Sequence, residues 1–174
     1  MDRKAKIALG GGCHWCTEAV FQALRGVSMV EQGFVASTDK NDSFSEAVII
    51  HFNTEVIALQ TLIEIHLQTH NSTSAHSMRN KYRSAIYYFS VAQKTEAEKI
   101  LNNLQLDFEN KLITKVYAFS AFKASRKAIQ NYYNNNPEKP FCKRFINPKL
   151  KFLIEKYTPQ VNPQYVANLK LNII

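Results

Sequence analysis

Over its first 104 residues the chain alternates between two hydrophobic periods, and that alternation restricts the folds open to it. A short apolar run, Lys6 to Leu9, leads into three glycines and then an amphipathic segment, Thr17 to Leu24. The order reads as strand, glycine turn, helix, with Arg25-Gly26 as a helix stop. Residues 27–35 read as a strand and 38–43 as a polar loop. Residues 45–52, with their Ala-Val-Ile-Ile run, read as a second strong strand. Asn53-Thr54 predicts the cap of a helix over residues 55–66, where Ile57, Leu59, Leu62, Ile63 and Ile65 mostly follow a 3.6 period. Residues 84–89 read as a buried-type strand, and Ser90 caps a helix over residues 91–104 with a charged outer face.

This strand–helix–strand–strand–helix–strand order predicts an α+β fold: a two-layer sandwich with a split β-α-β, ferredoxin-like core. Residues 69–80 are polar and aperiodic, which inside a compact domain points to a functional loop. A further strand is expected over residues 111–119 and a short helix over residues 126–134. All five prolines lie at or after Pro137 and all five glycines at or before Gly33. The last part is therefore read as a Pro-punctuated tail that wraps the body, with one helix over residues 148–157. The expected organisation is one catalytic domain over residues 1–174, with a core at about 5–135 and a wrapping segment at about 136–174.

Within this frame the stretch Gly-Gly-Gly-Cys-His-Trp-Cys, Gly10 to Cys16, carries the chemistry. Cys13 falls at the first turn of a helix, where unpaired backbone N–H groups and the positive end of the helix dipole favour a thiolate. Cys16 lies about one turn on, within disulfide reach. One cysteine placed to ionise and a second placed to trap it is the pattern of thiol redox chemistry. Two competing readings stand beside it. A Cys-x-x-Cys can be a pair of small core residues. It can also bind zinc, although Cys13, Cys16 and Cys142 make only one close pair. The glycines do not make a phosphate loop, since neither Gly-Lys-Ser/Thr nor a complete Gly-x-Gly-x-x-Gly follows. A thioredoxin fold also places Cys-x-x-Cys at a helix start, but its cis-proline has no counterpart before residue 137.

Apolar content of 45% and charged content of 21% are ordinary for a soluble globular protein. No apolar run approaches the ~20 residues of a membrane span. No signal-peptide pattern opens the chain, and its three cysteines fit a reducing cytosol, so a cytoplasmic location is expected. The net charge of +8 is spread along the chain without a nucleic-acid-binding motif, so no nucleic-acid and no membrane partner is expected.

Several motifs in one order then resemble peptide methionine sulfoxide reductase A. These are Gly-Cys-His-Trp-Cys-Thr-Glu-Ala-Val-Phe from Gly12, Gly33-Phe34-Val-Ala, Ser45-Glu46-Ala-Val and Tyr82-Arg-Ser-Ala-Ile. Asn136-Pro-Glu-Lys-Pro-Phe-Cys142 and Pro148-Lys-Leu-Lys-Phe152 resemble the family's C-terminal part, so the likeness spans about residues 7–157. It implies a peptide-methionine (S)-S-oxide reductase that repairs free or protein-bound methionine sulfoxide. By the same resemblance Cys13 is the nucleophile and Glu46 the acid that protonates the sulfoxide oxygen. A carboxyl between Phe44 and Val48 on an apolar strand is suited to keep its proton. Tyr82 is implied as a second donor to that oxygen, and Trp15 as a wall around the substrate methyl. Cys13 would become a sulfenic acid, a second thiol (Cys16 or Cys142) would condense with it, and a thioredoxin-like donor would reset the site without metal or cofactor. Cys16 is expected to act first because it is already about one turn away.

The sequence departs from the family at named positions. His14 stands for Phe and Phe34 for Tyr in the substrate pocket, and Ser77 falls on an Asp. Residues 124–129 lack the acid and His of the family's Ala-Glu-Asp-Tyr-His stretch. The alternatives carried are a degenerate relative that only binds peptides and a general thiol–disulfide oxidoreductase. His66, His70 and His76 form His-x3-His-x5-His, but Leu67 replaces the glutamate that a zinc protease needs as base. They are read as solvated or hydrogen-bonding loop histidines, with no metal site.

Overall fold

The computed structural model describes residues 3–167. Its centre is a six-stranded sheet of β1 (Lys4–Gly10), β2 (Val27–Ala36), β3 (Ser45–Asn53), β4 (Ala85–Tyr88), β5 (Lys115–Ala118) and β6 (Ala121–Ala124), in the order β5-β4-β1-β3-β2-β6. All neighbours are antiparallel except β4 and β5. α1 (His14–Gln22) carries the chain from β1 over β3 to β2, and α2 (Leu59–Thr69) carries it from β3 over β1 to β4. The protein is thus an α+β fold on a mixed sheet.

The strands alternate as their side chains demand. Ile7, Leu9, Val48, Ile50, Phe52 and Ile86 turn to one face and meet Phe21 of α1, Leu62, Ile63 and Ile65 of α2, and Ala97 and Ile100 of α3 (Val91–Leu104). Ala8, Ala47, Ile49, Ala85 and Tyr87 turn to the other face and form a smaller cluster with Val35. Each fully buried Leu or Ile contributes about 1.5–3 kcal/mol by leaving water. α3 runs over the predicted residues, and Ser90 Oγ accepts from Gln93 N at 3.2 Å as an N-cap.

Three element boundaries differ from the sequence reading, each for a local reason. α2 begins at Leu59, not at residue 55, because Val56 N and Ile57 N both donate to Asn53 O and Asn53 Oδ1 takes Glu55 N, closing a turn. β5 begins only at Lys115, because Leu112 N is drawn to Gln105 Oε1 and Ile113 N to Ser72 O. After β6, in place of a helix over residues 126–134, there is a 3-10 turn at Lys127–Ile129 and a single turn, α4 (Tyr132–Asn135). Asn131 between them is left-handed, with φ 54°.

The C-terminal segment lies against α1. A π-helical turn at Cys142–Ile146 runs into α5 (Asn147–Lys156), where Pro148 sits in the first turn and Leu150 and Leu153 are buried. Beyond it Arg25 N donates to Gln160 O and Asn162 N to Ala23 O, around a Leu24–Val161 bridge.

Candidate active site

β1 ends in the glycine turn, and the turn delivers Cys13 as the N-cap of α1. Gly11 has φ +151°, and a Cβ there would fall 2.5 Å from the His70 ring, so no larger residue fits between the turn and α2. Cys13 O accepts from Cys16 N at 3.1 Å and Thr17 N at 3.2 Å, which starts the helix. The sulfur stands at the positive end of α1, where the amides of Trp15 and Cys16 act on it without closing a capping hydrogen bond.

Cys13 is brought down to about 7, first by the hydrogen bond from the Cys16 thiol and then by those two amides. Burial and the Glu46 charge oppose the shift. Cys16 is pushed up by the same bond and by its own burial, so it is the protonated partner. Lys149 of α5 lies behind the pair, partly buried, with Nζ donating to Thr69 O, and its charge favours both thiolates. Cys13, Cys16, Phe141, Phe145 and Lys149 line a cavity of about 280 Å³. A neighbouring cavity of about 290 Å³ is lined by Gly12, Cys13, His76, Met78 and Tyr82.

Glu46 lies on β3 beside Phe34 of β2 in the register, and it is 7% exposed. It lies on the strand expected over residues 45–52, on a side that the fold buries. Its Oε1 is 2.9 Å from His14 Nε2, while Oε2 is buried and meets no protein donor. His14 is 3% exposed, with Nδ1 2.7 Å from Gly33 O and the edge of Phe34 against its ring. The hydrogen bonds and charge of Glu46, with the Gly33 carbonyl, outweigh burial and hold His14 above the ordinary histidine value. His14 therefore spends both nitrogens inside the protein, where the sequence reading placed it against substrate.

Trp15 stacks on Tyr132 at 4.2 Å and meets Phe141 edge-on at 5.1 Å. Tyr132 is held there by Glu18, which is 2% exposed: Oε1 accepts from Tyr132 N at 3.0 Å and Gln32 Nε2 at 3.0 Å, and Oε2 accepts from Asn131 N at 2.9 Å. Sequence reasoning passed over Glu18 and Tyr132. A carboxylate one turn into a helix, on its apolar face, was the available signal.

Tyr82 is half-buried in the turn before β4, reaching the same cavity as Cys13. Ser77 is exposed at the start of the 3-10 turn Ser77–Asn80 and is not among the residues lining either cavity. Cys142 is fully buried, and its thiol points at Asn136 O at 3.5 Å. Arg79, which sequence reasoning did not single out, gathers the polar loop: Nε donates to Ser74 O at 2.8 Å, Nη1 to Gly11 O at 2.7 Å and Tyr82 O at 2.9 Å, and Nη2 to Asn71 O. His66 and His70 are also structural. His66 Nε2 is 2.8 Å from Gly10 O, and His70 faces His66 O and, at 2.8 Å, Ser84 Oγ. Burial lowers both, His66 to about 4. Among the described residues no group of three His, Cys, Asp or Glu side chains is placed to hold a metal ion. No helix among them is long and apolar enough to cross a membrane.

A family model described as peptide methionine sulfoxide reductase matches residues 5–162. The peptide methionine sulfoxide reductase MsrA of Trichodesmium erythraeum (strain IMS101) is 34% identical over 172 residues, covering 90% of this chain and 97% of that protein. Among solved structures, reduced Mxr1 from Saccharomyces cerevisiae aligns with a TM-score of 0.70 at 23% identity, over 80% of this chain and 90% of that one. Mxr1 in complex with Trx2 aligns with a TM-score of 0.60 at 23% identity, over 75% and 85%. At that identity the structural likeness speaks for the fold.

Proposed function

Because this chain belongs to the peptide methionine sulfoxide reductase family and is an oxidoreductase that reduces methionine sulfoxide with a thiol, we propose that Cys13 attacks the sulfoxide sulfur and Glu46 supplies the proton. The observation that carries this reading is the meeting, at the head of α1, of a thiol held near 7 with a carboxyl whose Oε2 is buried and unpartnered. A sulfoxide oxygen hydrogen-bonded at Oε2 would satisfy that atom, and the Glu46 charge already acts on Cys13. Tyr82, opening on the same cavity, donates a second hydrogen bond to the oxygen. Trp15, braced by Tyr132 and Phe141, walls the substrate methyl, with Phe34 behind His14 on the opposite side.

The electron count is simple. Thiolate, sulfoxide and one proton give a sulfenic acid on Cys13 and methionine. Two electrons pass from the Cys13 sulfur to the substrate sulfur, and the oxygen moves to Cys13. The Cys16 thiol, one turn on and electrostatically coupled to Cys13, then displaces hydroxide as water and forms the first disulfide. Cys142 is sealed and turned to Asn136 O, so it is reached only after the tail shifts. A thioredoxin-like dithiol returns the site to its reduced form; that Mxr1 has been seen bound to Trx2 supports this partner class. Such donors fit the cytoplasm, which is the compartment we assign. We read β4-β1-β3-β2 with its two crossovers as a ferredoxin-like core, and the chain as one catalytic domain whose segment from about residue 136 wraps α1.

The test is single-turnover reduction of each methionine sulfoxide epimer by variants. Cys13→Ser should be inactive. Glu46→Gln should slow the chemical step about 10²- to 10⁴-fold with little change in substrate affinity. Wild-type turnover in Glu46→Gln would remove Glu46 from the reaction. Peptide mapping after one equivalent of sulfoxide should find Cys13–Cys16 first; a Cys13–Cys142 bond appearing first would refute the order.

A further inference from the structure

We propose that His14 is a positioning residue for the acid: as an imidazolium it fixes the Glu46 carboxyl with Oε2 toward the substrate and stabilises the carboxylate left when that proton is given up. This rests on the reading of Glu46 as the acid. It follows from counting protons around two hydrogen bonds. Gly33 O is an acceptor 2.7 Å from His14 Nδ1, so Nδ1 carries a hydrogen. Nε2 and Glu46 Oε1 are 2.9 Å apart, and two lone pairs cannot face each other at that distance, so a hydrogen lies between them as well. Oε2 is the remaining oxygen, buried and without a protein partner.

For Oε2 to hand a proton to a sulfoxide, the hydrogen between Oε1 and Nε2 must already sit on Nε2. The donating state is therefore an imidazolium beside a carboxylic acid. After transfer the pair is imidazolium and carboxylate, with the 2.9 Å bond intact and now joining opposite charges. The bond strengthens as charge develops, which is what lowers a barrier rather than merely holding substrate. A phenylalanine at this position could neither orient the carboxyl nor answer its charge. The His14 ring meets the Phe34 ring edge-on and adds a charge beside the carboxyl.

Other groups act on the pair from each side. Cys13 lies just ahead of α1, Glu18 is one turn along it, and Lys81 acts on Glu46 from the turn before β4. β2 meets His14 with the Gly33 carbonyl and the Phe34 ring. The Cys13 thiolate and Glu18 favour the imidazolium, while burial opposes it.

The test combines kinetics with a direct view of the ring. In single-turnover pH profiles, His14→Phe should lower the plateau rate about 10- to 100-fold and move the descending limb to higher pH, because one group instead of two must then hold its proton. His14→Gln, which can still donate a neutral N–H to Oε1 but carries no charge, should not restore the plateau rate. Nitrogen NMR of the wild type should show both His14 ring nitrogens protonated to a higher pH than in Glu46→Gln. This measurement needs no substitution at position 14. An identical His14 titration in wild type and Glu46→Gln would overturn the inference, as would a His14→Phe profile matching wild type. A slow Glu46→Gln with a wild-type-like His14→Phe sinks only the role of His14. A Glu46→Gln enzyme at full rate sinks the acid assignment beneath it.

Discussion

Replacing Cys16 with alanine should make Cys13 slower toward an alkylating agent at neutral pH and faster above about pH 8. The Cys16 thiol is the largest cause holding Cys13 at about 7 against an ordinary value of 9.0. At pH 7 about half of the wild-type Cys13 is thiolate; returned to 9, about 1% would be, a ~50-fold loss. A thiolate freed from that hydrogen bond is also intrinsically more nucleophilic. With a Brønsted slope of about 0.4–0.5, two pKa steps are worth ~8-fold. The net loss at pH 7 is then ~6-fold, and at pH 9.5 the variant should be ~6-fold faster, with the curves crossing near pH 8. The assay is iodoacetamide labelling of Cys13 followed by peptide mass analysis across pH 6–10. Parallel curves for Cys16→Ala and wild type, with the same midpoint, would show that the helix terminus and not the neighbouring thiol sets the ionisation.

Other outcomes follow from separate parts of the structure. Glu18→Ala strands the amides of Asn131 and Tyr132, so it should cost about 2–5 kcal/mol in denaturant unfolding and shift the fluorescence of Trp15, which rests on Tyr132. The folded-state value of His66 is depressed to about 4, so its contribution to stability is present above about 6.5 and is lost as pH falls from there toward 4. Urea midpoints should drop across that window and do so less in His66→Gln; an unchanged slope in the variant would refute the assignment. Activity should survive dialysis against EDTA, because His66 and His70 direct nitrogens to Gly10 O, His66 O and Ser84 Oγ. Loss of activity restored by zinc would contradict this.

The sequence reading succeeded where one signal decided the outcome alone. The glycines before Cys13 announced the turn, and Ser90 announced the start of α3. It placed Glu46 on an apolar strand from the Ala-Val-Ile-Ile run that follows it, while the burial of the carboxyl itself shows only in the fold. It failed where a distant group wins a local contest. Asn131 and Tyr132 leave a continuous helix because Glu18, 113 and 114 positions away, takes their amides. His14 looked like pocket lining because neither of its partners, Gly33 O and Glu46, adjoins it in sequence. Arg79 carries no motif at all; its importance is the convergence of four backbone carbonyls, which only the folded chain displays.

That convergence has an entropic meaning. Residues 70–76 form no helix or strand, so no repeating ladder holds them. Freezing such a segment costs on the order of 1–2 kcal/mol per residue. A single guanidinium, rigid and never uncharged, ties Asn71, Ser74 and Tyr82 to Gly11 within the glycine turn that presents Cys13. The loop wall and the nucleophile are thereby one mechanical unit before any substrate arrives. Sulfoxide binding then has no chain to order, and its interaction energy goes to orienting the sulfur. A lysine at position 79 would keep the charge but lose the fork. It should leave an intact fold whose loop fluctuates, seen as faster amide exchange over residues 70–80 and a higher KM at little-changed kcat.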